Sequence, residues 1–344
     1  MKLGIIGLPG AGRATLFQAL TGTAPGLPGS SPENRVAAIR VPDSRVDTLS
    51  RLYQPKKTVF AQVEYFLPAM RAASKESRKN ETTWSEARTT DALIHVLRNF
   101  PVPGVADPSP AADLRELTAE MVFADLLVVE KRLERLEMDA KRGRRADPEE
   151  LRLLAEAKAL LEAETPLRSR PDLAASPLLR GYALLSAKPC LVLVNNGDED
   201  DTLPDLALAP ELDCLAVRGK LEGELARMAP EEAAEFMAAF GVATSAMDRV
   251  IAASYRLLGL ASFFTVGPDE VRAWTIRQGT PALDAAEVIH SDIKKGFIRA
   301  EVVAYDDLLA AGSYAEARKK GTVRLEGKTY PVADGDIIEF RFSV

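Results

Sequence analysis

The sequence predicts an α/β chain in which a parallel-sheet domain is interrupted by an antiparallel helical hairpin and followed by a smaller α+β domain. Three observations predict it. An apolar strand, Leu3–Ile6, runs straight into a glycine loop and a helix, and strand and helix signals then alternate to about residue 105. Between Ala111 and about Glu164 apolar residues recur at steps of three and four. From Leu260 the composition shifts to short strands and tight turns, ending in the alternation Ile337–Phe342.

The first strand sets up the chemistry. Gly7-Leu8-Pro9-Gly10-Ala11-Gly12 has the glycine frame of a phosphate loop, but Arg13 stands where that motif has lysine and Ala14 where it has a magnesium-binding hydroxyl. The helix that follows, from Thr15, still supplies backbone N–H groups and a helix N-terminus, which cradle phosphate without any particular side chain. Metal placement is central to phosphoryl transfer, so what is compromised is cleavage rather than holding.

The remaining elements follow in order. Val36–Val41, Ala61–Phe66 and the apolar Ala92–Leu97 read as strands. Ala69–Thr90 is polar and turn-rich, a loop leading into a short helix, and the prolines of Pro101–Pro110 make a linker. Leu126, Val129, Leu133 and Leu136 form one helical seam, and Leu154, Ala157 and Leu161 a matching face on a second helix that Asp147-Pro148 starts well. The tip between them carries Lys141, Arg142, Arg144 and Arg145 around one glycine. It reads either as a solvated turn or as a contact for a phosphate backbone. A further helix is expected over Pro177–Ser186. Lys188–Asn195 is a continuous apolar strand, covered on both faces, and Leu212–Val217 is one more, followed by a helix rich in Glu and Ala.

Composition bounds the rest. Length 344 allows two or three domains, and 47% hydrophobic with 27% charged residues describes an ordinary globular chain. The net charge of −6 argues against a protein that coats nucleic acid throughout, though not against a local basic patch. Cys190 and Cys214 sit in apolar strands as buried thiols, with no disulfide framework, and two histidines make a histidine-rich metal site unexpected. No run reaches the roughly 18 apolar residues of a membrane span. The chain opens on a core strand rather than a signal peptide, so the cytoplasm is the expected compartment and no membrane partner is expected.

Asn195-Asn-Gly-Asp198, placed behind a phosphate loop and a βα series, is where P-loop nucleotide-binding proteins read the base. There the Asn supports the loop and the acid accepts from the ring edge. Gly7–Thr21, Lys188–Asp200 and, above all, Phe264–Ile276, Ile289–Glu301 and Tyr330–Ile338 resemble the YchF, or Obg-like ATPase, family over almost the whole chain. The resemblance implies a P-loop NTPase domain (residues 1–110 and 183–259), an inserted coiled-coil arm (111–182) and a C-terminal TGS domain of β-grasp fold (260–344). It implies a monomer that binds ATP or GTP, with ATP preferred in the family, and that associates with the ribosome or RNA through arm and TGS domain. Gly7, Leu8, Pro9, Gly10, Ala11, Gly12, Arg13, Ala14 and Thr15 would surround the phosphates, Asn195 and Asp198 the base, and Ala216 the loop behind it.

The departures from the family pattern bear on activity. Arg13 keeps a positive charge in a bulkier planar group. Ala14 removes a metal ligand, and Val63–Met70 lacks the family's Asp-x-x-Gly in register. The first switch threonine survives at most as Ser31. Three altered metal-handling elements together put magnesium in doubt and predict weak or lost hydrolysis, with no catalytic residue and no metal site assigned. An active ATPase or GTPase that uses Arg13, Thr15 and waters to hold the metal is the alternative, as is a nucleotide-independent scaffold for ribosome or protein. Asp198 stands where the family usually has Glu, and this shorter acid is what guanine readers use, so the base stays open. Of the other polar features, His290 is expected to pack or cap, His95 to be a satisfied core residue, and Trp274 with Phe263 and Phe264 to pack. Lys294, Lys295 and Arg299 are expected to form a modest basic face.

Overall fold

The computed structural model describes residues 1–23, 33–69, 81–239 and 244–343. In chain order the elements are β1 (Lys2–Ile6), α1 (Arg13–Thr21), β2 (Arg35–Arg40), α2 (Ser44–Tyr53), β3 (Lys57–Val59), β4 (Gln62–Leu67), α3 (Glu81–Arg88), β5 (Ala92–Asn99), α4 (Pro110–Lys141), α5 (Pro148–Glu162), α6 (Pro171–Ala174), α7 (Pro177–Arg180), β6 (Cys190–Asn196), β7 (Asp213–Val217), α8 (Gly219–Leu225), α9 (Pro230–Ala239) and α10 (Ala246–Leu257). Then come β8 (Leu260–Val266), β9 (Glu270–Arg277), α11 (Ala282–Ile289), α12 (Ser291–Lys295), β10 (Phe297–Ala304), α13 (Tyr305–Ala311), α14 (Tyr314–Lys319), β11 (Arg324–Glu326) and β12 (Asp336–Phe342). The chain divides into two compact units, residues 1–37 with 64–250, and residues 38–63 with 251–344.

The first unit is built on a six-stranded sheet of order β2-β4-β1-β5-β6-β7. β1 pairs parallel with β4 and β5, β5 with β6, and β6 with β7. β6 is buried at all seven positions, which explains its unbroken apolar sequence. Ile6, Leu93 and Cys190 of the sheet pack against Trp84 and Ala87 of α3 and Leu117 and Met121 of α4. The root of the hairpin thus belongs to the sheet's own core. β1 and β6 both end on the side where the glycine loop begins, so the sheet positions the candidate site.

The hairpin has the expected form. α4 runs 32 residues, about 48 Å at 1.5 Å per residue, and α5 returns beside it. Val129, Leu136, Leu154, Ala157 and Leu161 share one buried cluster, with Leu126 and Leu133 packed on it. The second helix starts where the sequence predicts: the Asp147 carboxylate accepts from the Glu149 N–H at 2.9 Å, with Pro148 at the first helical position. At the root, the fully buried Asp125 accepts from the N–H groups of Leu185 (3.0 Å) and Ser186 (2.7 Å) and from Arg88 Nη1 (2.8 Å). This network corrects one expectation. The helix expected over Pro177–Ser186 stops at Arg180, because Gly181 follows and the chain must turn to present two free amides to Asp125.

The second unit carries a mixed sheet of order β11-β10-β12-β8-β9-β3. β12 and β8 run parallel between two antiparallel pairs, β10–β12 and β8–β9. Ala282, Ala285 and Ala286 of α11 are buried in one core with Phe263, Phe297, Val302, Ile338 and Phe340. Trp274 stacks on Phe263 with centroids 6.4 Å apart, and its indole N–H donates to Thr265 at 3.0 Å, a packing role as expected. The β-grasp-like α+β pattern has one addition that the sequence did not suggest. α2 and β3, far upstream in the chain, belong to this unit, β3 pairing parallel with β9 as Lys57↔Glu270 to Val59↔Arg272.

Candidate functional site

The glycine loop leaves the C-terminal end of β1 and closes on α1. Ala11 N–H donates to Leu8 O at 3.1 Å, making the turn, and Leu16 N–H donates to Gly12 O at 2.9 Å, starting the helix. No side chain caps the helix N-terminus at Gly12, so its first amides stay available to a ligand. Two glycines are required by geometry. A Cβ on Gly7 would lie 2.6 Å from Val96 O, and one on Gly12 (φ 90°) would lie 2.2 Å from Asn195 Nδ2.

Asn195 ties this loop to the far side of the site. Its buried side chain donates from Nδ2 to Ala11 O (3.0 Å) and accepts at Oδ1 from Gly219 N–H (2.9 Å), so one amide clips the phosphate-side loop to the start of α8. Ala216 is buried on β7, in register with Val194 of β6. Asp198 is exposed beyond β6, and its carboxylate accepts from Lys220 Nζ at 3.0 Å. Sequence reasoning missed Lys220, although a cation three residues past a strand that ends beside an acid-bearing loop is the available signal. It also missed the Asn99–Asn196 contact (2.9 Å) joining the ends of β5 and β6.

Arg13 is the first residue of α1, and its stem lies against Gly7, with Cγ and Cδ 3.3 and 3.4 Å from where a Gly7 Cβ would stand. Its Nη1 is buried and has no hydrogen-bond partner. Burial lowers its pKa, and no carboxylate among the described residues offsets that.

The family's magnesium can be tested against the donors present. Ala14 offers an exposed methyl, and Thr15 projects about 100° further round the helix. The strand beside β1 leaves the sheet as Leu67-Pro68-Ala69, with no acid. The acid that β4 does carry, Glu64, is in register with Lys2, five residues before Gly7, or roughly 16 Å at 3.3 Å per residue. These donors do not fit a magnesium ion. Ser31 lies outside the described residues. Among the described residues no group of three or more His, Cys, Asp or Glu side chains is placed to hold a metal.

At the arm tip, α4 ends at Lys141 and Gly143 adopts φ 79° to turn the chain. Lys141, Arg142, Arg144 and Arg145 are all exposed, with Arg144 3.5 Å from Asp139. The basic face expected in the second unit is not a free one. Lys294 pairs with Asp284 (2.9 Å) and Glu287 (2.5 Å), and Lys295 with Asp292 (3.2 Å), while Arg299 is exposed. His290 caps α12, its Nδ1 accepting from Asp292 N–H at 3.2 Å. His95 is buried as expected but not satisfied: Nε2 has no partner, and burial, then the Arg168 charge, push its pKa down to about 3. Both cysteines are free thiols, Cys190 buried and Cys214 half-buried, and burial pushes both pKa values up, Cys214 to about 11. No described helix is long and apolar enough to cross a membrane.

Comparison with known proteins agrees with this architecture. Residues 260–343 match the family described as YchF-GTPase_C, protein of unknown function (DUF933). The chain is 37% identical to "Ribosome-binding ATPase YchF" of Bacillus subtilis, covering 100% of both chains. It is 36% identical to the protein of that name from Haemophilus ducreyi, over 100% of this chain and 99% of that one. To "Obg-like ATPase 1" of Oryza sativa it is 34% identical, over 100% of this chain and 92% of the relative. The solved structure of the Schizosaccharomyces pombe YchF GTPase superposes with a TM-score of 0.85 at 29% identity, covering 99% of this chain and 97% of that one.

Proposed function

The chain belongs to the YchF family of Obg-like ATPases, and from that premise we propose that it is a cytoplasmic, ribosome-associated nucleotide-binding protein with weak or lost hydrolysis. The carrying observation is a backbone cradle kept intact beside Arg13 and Ala14, where the lysine and the metal-binding hydroxyl would stand. Nucleotide binding is a property of the family. Ribosome binding is what the bacterial relatives are named for, and in this chain the exposed cations of the arm tip supply a surface of the right sign. In this reading the protein works as a monomer, Gly7–Thr15 hold the phosphates, and Asn195, Asp198 and Ala216 frame the base. ATP is the first candidate by kinship, with GTP the rival because Asp198 is the shorter acid.

The reduced hydrolysis follows from charge. Losing a bound metal and a point cation removes several kcal/mol of stabilisation from a developing phosphoryl charge, which is orders of magnitude in rate. The test measures ATP and GTP binding by titration alongside phosphate release under saturation. Binding with turnover far below that of the Bacillus subtilis relative supports the proposal, and equal turnover overturns its hydrolytic part. For the partner, sedimentation with ribosomes should weaken when Lys141, Arg142, Arg144 and Arg145 are all replaced by Ala. Unchanged sedimentation removes the arm tip from the proposal.

A further inference from the structure

The donor set that fails to fit magnesium has a positive counterpart in the same loop. We infer that this site binds the nucleotide's polyphosphate independently of magnesium, with the Arg13 guanidinium supplying the charge that a metal ion and a lysine share elsewhere. The inference rests on the nucleotide-binding reading above and deepens it by naming the group that holds the phosphates.

Three observations carry it. First, Arg13 is already inside the cradle: its stem packs on Gly7, the residue at which β1 becomes loop, and Nη1 is sealed from solvent without a hydrogen-bond partner. A guanidinium nitrogen sealed from water and left unpaired costs about 1–3 kcal/mol, and it is stabilised where an anion completes it. Burial weakens its hold on the proton with no carboxylate among the described residues in opposition, so the charge the loop lacks is negative. Second, the surrounding donors suit an anion. The helix start at Gly12 has no side-chain cap, and a guanidinium offers a planar fork that meets two phosphate oxygens at once. Third, among the described residues the positions a metal needs are hydrocarbon. Ala14 is a methyl, the β4 exit is Leu67-Pro68-Ala69, and Glu64 is in register with Lys2, at the end of β1 away from the loop.

A consequence separates this site from a metal-dependent one. A metal that bridges outer phosphates makes a triphosphate bind differently from a diphosphate. With a single fixed arginine, both forms present the same inner phosphates to the loop, and they should bind alike.

The experiment is a titration of the full-length protein with ATP, ADP, GTP and GDP, each in excess magnesium and in excess EDTA, for the wild type, Arg13→Ala, Arg13→Lys and the double variant Arg13→Lys/Ala14→Ser. The expected result is that wild-type affinity differs by less than about threefold between magnesium and EDTA and between tri- and diphosphate. Arg13→Ala should lose about tenfold or more in both conditions, as expected for removing a charge-assisted contact, and Arg13→Lys should retain part of it. The double variant should bind more tightly with magnesium than with EDTA, and its gain shows that the loop still folds. Wild-type binding seen only with magnesium overturns the inference while leaving the nucleotide reading intact. Arg13→Ala binding as well as or better than the wild type also overturns it, the guanidinium then being a plug. No binding of any nucleotide in either condition overturns both.

Discussion

Two of the charges that the first unit draws away from water are held differently. At the hairpin root, Arg88 meets Asp125 at 2.8 Å, and the fully buried carboxylate also takes two backbone N–H groups. The Asp125 carboxylate is matched entirely within the protein. In the glycine loop, Arg13 is half-buried, with Nη1 sealed and unpartnered and no opposing carboxylate among the described residues. Polar groups taken from water are costly unless matched, so the first arrangement is complete as folded and the second is complete only with something added. The contrast separates a charge that fixes architecture from one that waits for a ligand.

The largest test breaks the completed side. Asp125→Ala strands two buried amides and leaves Arg88 only its bonds to Ala183 O and Ala124 O, and should cost about 3 kcal/mol, read as a fall in the denaturant midpoint. A loss under about 1 kcal/mol would mean the root is not held by this network. Next is the joint between the two sides of the loop. Asn195→Ala leaves Ala11 O and Gly219 N–H without their partner and should cost up to about 3 kcal/mol, with weaker nucleotide binding. Stability loss with unchanged affinity would show the clip to be architectural only.

A third test concerns a group between the two cases. His95 is buried with Nε2 unpartnered and a pKa near 3, against 6.5 when unfolded. The folded base is the weaker one, so the unfolded chain binds the extra proton. The penalty is absent above about pH 6.5 and grows as pH falls toward 3. His95→Leu should therefore flatten the acid side of the stability profile, gaining about 2 kcal/mol at pH 5 relative to its effect at pH 8. A profile parallel to the wild type would deny the histidine that role. The smallest effect is expected at Lys220→Ala, which removes an exposed pair with Asp198. The melting temperature should not move, whereas a shift in the ratio of ATP to GTP affinity would place Asp198 against the base.

Legibility in the sequence followed how local the determinants are. The β1–loop–α1 unit was readable because an apolar run, three glycines and a helix lie within twenty residues, and the hairpin because its seam repeats at helical spacing over its own length. What was missed depends on distant partners. β3 is three residues long and exists as a strand because β9, more than two hundred residues on, offers a parallel edge. The helix that stopped at Arg180 was cut short by Asp125, which lies 61 residues before the Ser186 whose amide it takes. The basic face failed because counting Lys294 and Lys295 ignored Asp284, Glu287 and Asp292, which turn toward them once α11 and α12 are folded. At the site, the motif placed the backbone and the absent ligands, and Asn195 announced its bracing role. The direction of Arg13 and the pairing of Asp198 with Lys220 needed three dimensions.

The parallel pairing of β3 with β9 has a practical sequel. A fragment beginning at residue 251 would contain every other strand of its sheet yet leave β9 with a bare row of N–H and C=O groups along its outer side. Open borders of this kind recruit other chains, so such a piece would tend to self-associate although its core is intact. Residues 38–63 are thus a lent selvedge: they finish a fabric woven almost wholly from the opposite end of the polypeptide, and anyone dividing this protein must carry them along.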